Sequence, residues 1–393
     1  MPLFIWTLLL FLICEIILHF SLNKLPNKFL IHTSGPISRL AQYSKSEIVP
    51  DRHIALIGDS NVYGFGPWLY DNSWSMKQPS FATHHLLHKV LNKEIIAFGY
   101  PGHGNMGSCL STISEYDLLS DSWIWPKLKL PSQVLVFFYE GNDLENNLHE
   151  LEHRGFEHLQ QNFNETEIKI KEIIAIEAKN LADKWSYLDH SAFYNIASGI
   201  FKNYKSKWFN SDQKKYIKEV SMNNKNQSEK SIPEKASKNT ALISDRVIDL
   251  GSSEGPALHL SKYETDIALE ISKQSFQTIK NYFNDSIVVI VYLPSSLSIY
   301  SFINDSVHPT TFCLDGKKRD ANFSHTDVIK RNNYLRKRVK SIAETLQIEF
   351  MDTTEQFKEF GKSTVLHGPR DPIHLNRNGY EKLAEILVNE INF

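Results

Sequence analysis

The sequence predicts an α/β fold in which a parallel β-sheet is covered by helices on both faces. Short apolar, β-branched runs alternate with longer stretches of helical spacing, which is typical of a buried parallel sheet. Four of the five runs end in Gly, Ser, Asp, Asn or Pro, and parallel sheets form their sites at such strand ends. The runs are "HIALIGDS" (53–60), "EIIAFGYPG" (94–102), "QVLVFFYEGND" (133–143), "SIVVIVYLPSS" (286–296) and "IEFMDTT" (348–354).

Helical spacing is clearest late in the chain, at residues 263–283, 328–346 and 376–391. The alternation stops between about 144 and 262, which predicts a helical insertion in the domain. Within it, residues 202–240 carry ten Lys against four acids, a composition too polar for a core. A solvated surface and a docking surface for an anionic glycan or lipid headgroup both fit that stretch.

The N-terminal segment "MPLFIWTLLLFLICEIILHFSLNK" predicts a membrane anchor. It is apolar from Leu3 to Phe20 apart from Glu15 and His19, which approaches the roughly 20 residues that cross a bilayer. A cleaved signal peptide is the alternative. No small-x-small cleavage motif follows the apolar stretch and no basic residue precedes it, so the anchor is favoured.

The predicted organisation is an anchor at 1–22, a linker at 23–50 and one large domain at 51–393 that carries the insertion. One feature of the sequence argues against a domain on the outer side of the membrane. Lys24 and Lys28 follow the apolar segment, and the positive-inside rule alone would place the domain in the cytoplasm.

The charge balance argues against a nucleic-acid partner. The formal net charge is −2, and no long basic or acidic block surrounds the predicted core. A surface for duplex nucleic acid would carry a basic stripe, so a small or neutral substrate is easier to accommodate.

Ser60 is the first candidate catalytic residue. It follows an apolar strand and a Gly-Asp turn, so its hydroxyl is expected near the start of a helix, where free amides stabilise negative charge. A serine is a poor nucleophile unless an imidazole takes its proton. His374 in "GPRDPIHLNRNGYEKL" is the candidate base, and Asp371, three residues earlier, could orient its ring. Taken singly, each of these residues also fits a helix cap.

The next two predicted strands end in "GYPGHG" and "EGND", which supply Gly102 and Asn142. A tetrahedral acyl intermediate needs donors for its oxyanion. A glycine amide permits close approach of the backbone, and an asparagine side chain offers an uncharged N–H donor. Either motif alone is also an ordinary turn.

Taken together and in this order, the blocks "GDS", "GYPGHG", "GND" and "DPIH" resemble the SGNH, or GDSL, hydrolase superfamily. The resemblance covers about residues 50–143 and 286–393 and leaves the insertion unaccounted for. It implies a flavodoxin-like three-layer α/β/α sandwich with a five-stranded parallel sheet, and acyl-ester chemistry that needs no cofactor and no metal. The second block often begins with Asn, where this chain has Ala97; the difference concerns the loop more than the chemistry.

The resemblance also implies a role for each residue. Ser60 would attack the acyl carbonyl, His374 would be the base and Asp371 would orient it. The Ser60 amide, the Gly102 amide and the Asn142 side chain would form the oxyanion hole.

We therefore expect a serine esterase that removes ester-linked acyl groups, chiefly O-acetyl, from a carbohydrate or cell-surface glycan. The anchor and the resemblance place it in a bacterial inner membrane as a single-pass protein with a periplasmic catalytic domain. Acyl transfer to a glycan hydroxyl by the same residues is one alternative. A non-catalytic glycan-binding or scaffold protein with this fold is another.

A competing motif is "HELEH" at 149–153, which fits the His-Glu-x-x-His pattern of zinc enzymes. In that pattern two histidines one turn apart bind the metal and the glutamate activates water. The surrounding sequence, "ENNLHELEHRGFEH", is polar, which favours a solvated helix instead.

Two tryptophans, Trp68 and Trp74, follow Ser60 in the sequence. They could form an aromatic lip for a sugar or an acyl chain. Packing in the core fits them equally well.

Overall fold

The fold is taken from a computed structural model, which describes residues 2–25, 35–66, 79–154, 163–182, 184–209, 239–251, 253–309, 322–368, 371 and 373–391. The strands are β1 Ile54–Gly58, β2 Ile95–Gly99, β3 Gln133–Tyr139, β4 Thr240–Ile243, β5 Arg246–Asp249, β6 Ile287–Leu293, β7 Ser306–Val307, β8 Phe323–Ser324 and β9 Glu349–Asp352. The helices are α1 Pro2–Ser21, α2 Pro36–Leu40, α3 Ser60–Tyr63, α4 Thr83–Leu91, α5 Asn105–Ser120, α6 Asp143–His153, α7 Phe163–Ala182, α8 Ala192–Phe209, α9 Lys262–Tyr282, α10 Ser296–Ile299, α11 His325–Leu346, α12 Thr354–Gly361 and α13 Arg377–Glu390.

The central sheet has five parallel strands in the order β2-β1-β3-β6-β9. Numbered along the chain, this is 2-1-3-4-5, the order of a doubly wound sheet. The predicted α/β fold with a five-stranded parallel sheet is confirmed. Gly58 of β1 lies opposite Gly99 of β2, and Ile57 lies opposite Val136 of β3. The loops after these three strands therefore leave from the same edge.

Alternate side chains of the strands enter two separate cores, one on each face of the sheet. Ile57 and Val136 belong to the core that includes side chains of α5 and α9. Leu56 and Leu135 belong to the other core, which includes side chains of α4 and α13. Burial on both faces explains why the strands read as continuous apolar runs.

The N-terminal helix α1 is apolar and long enough to cross a membrane, judged by its length and composition. The chain enters the folded domain directly after it. Leu22, Ile37 and Leu40 are fully buried, and the Asn23 side chain donates a hydrogen bond of 3.0 Å to the carbonyl of Ser46. The described part of the range predicted as a linker therefore packs against the domain.

The insertion is helical at first, as expected, and contributes α7 and α8. It then forms a hairpin, β4 paired antiparallel with β5, which the sequence reading did not expect. The turn consists of Ser244 and Asp245, both with positive φ, as a two-residue type I′ turn requires. Residues 210–238, which hold most of the lysine-rich stretch, lie outside the described residues.

A buried ion pair connects α2 to the sheet. The Arg39 guanidinium lies 2.6 Å from the carboxylate of Glu115 on α5 and donates a 3.0 Å hydrogen bond to the carbonyl of Ala97 in β2. It also stacks over the ring of Tyr100, 4.7 Å from its centroid. Both charged side chains are almost fully buried. If one were removed, the other would therefore remain as a charge that water cannot solvate.

Replacing Arg39 with Met should therefore reduce the free energy of unfolding by about 3–5 kcal/mol, because Glu115 would be left buried and unpaired. Arg377→Met is the matched control, since Arg377 pairs with Glu381 on the exposed surface of α13. Its cost should stay below about 1 kcal/mol. Chemical denaturation of both variants in detergent micelles measures the difference, and equal losses would contradict the expectation.

Candidate active site

Ser60 is the first residue of α3 and lies at the carboxyl edge of β1, as predicted. Asp59 caps this short helix, because its side chain accepts hydrogen bonds from the Asn61 amide at 2.9 Å and the Asn61 side chain at 3.2 Å. The strand end is crowded. A Cβ on Gly58 would lie only 2.8 Å from the side chain of Val62. The Asp59 hydrogen bonds and the close packing of Val62 thus restrain the turn, and the Ser60 side chain is buried within it.

His374 links Ser60 to Asp371 through both of its ring nitrogens. Its Nε2 atom lies 2.9 Å from the Ser60 hydroxyl oxygen, and its Nδ1 atom lies 2.7 Å from a carboxylate oxygen of Asp371. The other Asp371 oxygen accepts from the amides of Ile373 and His374, at 3.2 and 3.1 Å. The ring also meets the Phe65 ring edge to face, with centroids 5.8 Å apart. This is the geometry in which an imidazole can take the proton of a serine hydroxyl.

The charges around His374 favour its protonated form. Burial lowers the pKa of His374, but the hydrogen bond and negative charge of Asp371, together with Glu254 and Asp59, outweigh burial and raise that pKa above 6.5. Burial alone would raise the pKa of Asp371, yet the bonds it accepts from His374 and the backbone bring it below 3.8. The two side chains therefore form an imidazolium–carboxylate pair readily, as a transferred proton requires.

Gly102 and Asn142 follow the two strands that flank β1. Gly102 lies on the loop after β2 with a φ of 80°, a conformation that favours glycine. Asn142 follows β3 and is the N-cap of α6, and its Oδ1 is buried with no hydrogen-bond partner among the described residues. The strand order puts one of these residues on each side of Ser60. Among the predicted site residues, the hydrogen bonds that the structure describes join Ser60, His374 and Asp371, and the Ser60 hydroxyl also lies 3.4 Å from a carboxylate oxygen of Asp59.

Asp143, next to Asn142, has a structural role that the sequence reading missed. Its carboxylate accepts hydrogen bonds of 2.8 Å from the Tyr139 amide and from the Asn105 side chain. It therefore connects the end of β3 to the start of α5 and holds the turn that carries Asn142. The "GND" motif could have indicated this role, because an Asp in a turn often accepts a hydrogen bond from a backbone amide two to four residues away.

Glu254 is a second residue that sequence reasoning missed. It lies at the end of the insertion, and its Oε2 atom occupies the space beside Gly141, only 2.5 Å from where a Cβ would stand. Burial raises the pKa of Glu254 to about 7, although the nearby His374 opposes the shift. No motif marks this residue, because only the fold brings it beside His374.

The "HELEH" segment lies on α6 with its two histidines exposed. His149 and His153 contact each other, with their Nε2 atoms 2.8 Å apart. The Glu150 carboxylate accepts hydrogen bonds from the amides of Gly104 and Gly107, at 2.9 and 2.7 Å. Glu150 thus caps the N-terminus of α5 by accepting hydrogen bonds from its first amides. The opposite face of α6 is buried, so the prediction of a solvated helix is right only for its histidine face.

The predicted aromatic lip falls outside the described residues. Trp68 and Trp74 belong to the segment 67–78, which directly follows the Ser60 turn.

Comparison with known proteins assigns no family to this chain. No protein-family model matches it, and no curated protein matches it either. The chemical interpretation of the site therefore rests on its own geometry.

The contacts of His374 predict how the reactivity of Ser60 depends on pH. Serine attack needs the neutral imidazole, so labelling by a fluorophosphonate should rise with pH through a midpoint above 6.5, the ordinary histidine pKa. In Asp371→Asn the carboxylate that raises this pKa is gone, so the midpoint should fall. The labelling rate should also drop, by about 10⁴-fold, because the ring loses its orienting partner.

Asp51→Asn is the control, because Asp51 is exposed and pairs with the surface residue Lys129. Its labelling curve should match that of the unaltered protein. If Asp371→Asn kept the original midpoint, Asp371 would not be the group that raises the pKa of His374.

Proposed function

We propose that this chain is a serine esterase of the SGNH type, anchored in a bacterial inner membrane by α1, with its catalytic domain in the periplasm. Its substrate would be an ester-linked acyl group, chiefly O-acetyl, on a carbohydrate or cell-surface glycan. The observation that carries the proposal is the pair of hydrogen bonds that His374 makes, to Ser60 at 2.9 Å and to Asp371 at 2.7 Å.

The proposed reaction begins with the Ser60 oxygen attacking the acyl carbonyl while His374 takes the hydroxyl proton. The negative charge that develops on the carbonyl oxygen would be stabilised by the amides of Ser60 and Gly102 and by the Asn142 side chain. Collapse of this intermediate breaks the ester bond, and His374 returns the proton to the departing sugar hydroxyl. An acyl group is left on Ser60.

Water completes the cycle by the same steps in reverse. His374 takes a proton from water, the hydroxide attacks the acyl-enzyme, and the proton returns to Ser60 as the carboxylic acid leaves. If an acceptor sugar hydroxyl replaced water, the same residues would perform acyl transfer. We propose hydrolysis as the main reaction, because it needs only water as the acceptor, whereas transfer also needs a binding site for an acceptor sugar.

The substrate and the membrane orientation are linked in this proposal. An esterase that acts on a cell-surface glycan must face outward, whereas Lys24 and the positive-inside rule alone favour the cytoplasm. Asn23 and Leu22, on either side of that boundary, are buried against the domain. The domain therefore begins where the apolar helix ends, which supports an enzyme that works close to the membrane surface.

The first test is labelling of Ser60 by a membrane-impermeant fluorophosphonate in spheroplasts. The unaltered protein should be labelled without lysis, whereas Ser60→Ala and His374→Ala should not, and the surface variant Ser341→Ala should behave like the parent. Labelling only after lysis would overturn the periplasmic orientation. Absence of labelling in lysates as well would favour a non-catalytic binding protein.

The second part of the test identifies the reaction. Purified full-length protein should release acetate from an O-acetylated glycan, and an added unacetylated glycan should not become acetylated. Acetylation of that acceptor, with little free acetate, would instead assign the protein as an acyltransferase.

A separate prediction concerns Asn142. Asn142→Ala should lower the kcat for an acetyl ester by about a hundredfold to a thousandfold, the usual cost of one oxyanion donor, with little effect on the KM. Asn333→Ala, on the exposed surface of α11, is the matched control and should leave kcat unchanged. An unchanged kcat for Asn142→Ala, with the fold intact by circular dichroism, would remove Asn142 from the oxyanion hole.

A further inference from the structure

Glu15 is an acidic residue in the C-terminal half of the apolar helix α1, and it is almost fully buried. An ionisable side chain in a membrane-spanning segment is costly unless it faces other protein groups that bond it. Most of the apolar side chains of α1 are instead exposed, as a surface in contact with lipid would be. These exposed residues are Phe4, Ile5, Trp6, Leu9, Leu10, Leu12, Ile13, Ile16, Ile17 and Phe20.

The partner of Glu15 is the N-terminus of α8. One carboxylate oxygen accepts from the Ala192 amide at 2.8 Å, and the other accepts from the Ser191 hydroxyl at 2.8 Å and the Phe193 amide at 3.0 Å. The first amides of a helix have no partner within the helix, and they favour negative charge. One turn away, the rings of Phe11 and Phe193 meet edge to face at 5.5 Å. The two helices are therefore joined by polar and by apolar contacts.

This contact lies within the apolar length of α1. Glu15 precedes Ser21, the last residue of the helix, by six positions, which at 1.5 Å per residue is about 9 Å. The folded domain begins at the next residue, Leu22, which is fully buried. If α1 crosses a bilayer and ends at its surface, α8 begins at about the depth that interfacial helices reach, which is roughly 5–10 Å into the headgroup–acyl boundary.

An exposed group of large side chains continues from this contact, and we call it the apolar face. Its members are Trp123, Tyr187, Leu188, Tyr194 and Phe201, with exposed fractions of 65, 83, 50, 39 and 69%. The rings of Trp123 and His190 lie 6.5 Å apart, and the Trp125 indole donates a 2.9 Å hydrogen bond to the carbonyl of His190. Trp125 in turn stacks on His19 of α1 at 4.8 Å. The apolar face is thus attached to the C-terminal part of α1.

We propose that the apolar face is a second membrane contact, which inserts into the headgroup and upper acyl region of the bilayer that α1 crosses. The inference rests on the proposed anchoring by α1. Lipid is the occupant because the face continues directly from α1, and because Trp and Tyr concentrate at membrane–water interfaces. An aqueous surface rarely exposes so many large apolar groups together. The active site would then stand at a set height above the membrane.

Depth-dependent quenching tests this contact in the full-length protein. A background with Cys14→Ala and Cys313→Ala keeps only Cys109, which is buried. Bimane is attached to Tyr187→Cys, Phe201→Cys, Leu9→Cys and Val247→Cys, each alone, in vesicles of phosphatidylethanolamine and phosphatidylglycerol. Leu9 reports on the span. Val247, exposed on β5, is the matched control, because its hairpin packs into the core on the opposite face of the sheet from Trp125 and Ala192.

Doxyl-labelled lipid should quench the labels at 187, 201 and 9 severalfold more than the label at 247, and aqueous acrylamide should show the opposite order. If lipid quenches only the label at 9, α1 crosses the membrane but the apolar face does not touch it, and the inference fails alone. If lipid quenches none of them, the anchoring proposal fails as well. Labels at 187 and 201 that neither quencher reaches would show that a protein partner or a second copy covers the face, which also overturns the inference.

Glu15→Ala provides the second variant, because it removes the three hydrogen bonds to the start of α8. Lipid quenching at 201 should fall severalfold while quenching at 9 stays unchanged. Glu15→Gln keeps an oxygen that can accept and should retain part of the effect. Equal lipid quenching at 201 in all three proteins would show that Glu15 does not hold α8 at the membrane.

Discussion

Parallel pairing of β1 with both β2 and β3 is the constraint on which the rest of the molecule depends. It places Gly58 opposite Gly99 and makes three loops leave from one edge of the sheet. At this edge the backbone of β2 lies close to that of α3, because a Cβ on Gly99 would lie 2.3 Å from the Tyr63 amide nitrogen. Parallel strands are buried on both faces, so this edge has little freedom to move. The sheet thus fixes the strand ends from which the Ser60, Gly102 and Asn142 loops leave.

One local device recurs in three turns of the candidate site. In each, an aspartate bonds a main-chain amide close to its own position in the chain. Asp59 accepts from the Asn61 amide, Asp143 from the Tyr139 amide, and Asp371 from the amides of Ile373 and His374. A buried carboxylate costs free energy unless such bonds satisfy it, so each turn has one favoured conformation. The three turns are therefore restrained by hydrogen bonds within the protein itself, and preorganisation of this kind is what the proposed chemistry would require.

Features that depend on neighbouring residues in the chain could be predicted from the sequence. Apolar periodicity located the five strands of the parallel sheet and the late helices, because burial on both faces leaves an unbroken apolar run. It missed the β4–β5 hairpin, whose Ser244–Asp245 turn needs two positive φ values and has no glycine to announce them. It also missed Glu254 and the pairing of Arg39 with Glu115, because such contacts join residues far apart in the chain.

The sequence by itself determined which residue types stand at the strand ends, and that an apolar segment precedes the domain. Those properties follow from local composition and period, which are readable without a fold. Only the tertiary structure decided that His374 meets Ser60 across 314 positions, and that Glu15 meets the start of α8 across 177 positions. A hydrogen bond depends on distances of a few tenths of an ångström, and those distances arise only when the sheet and its covering helices pack together.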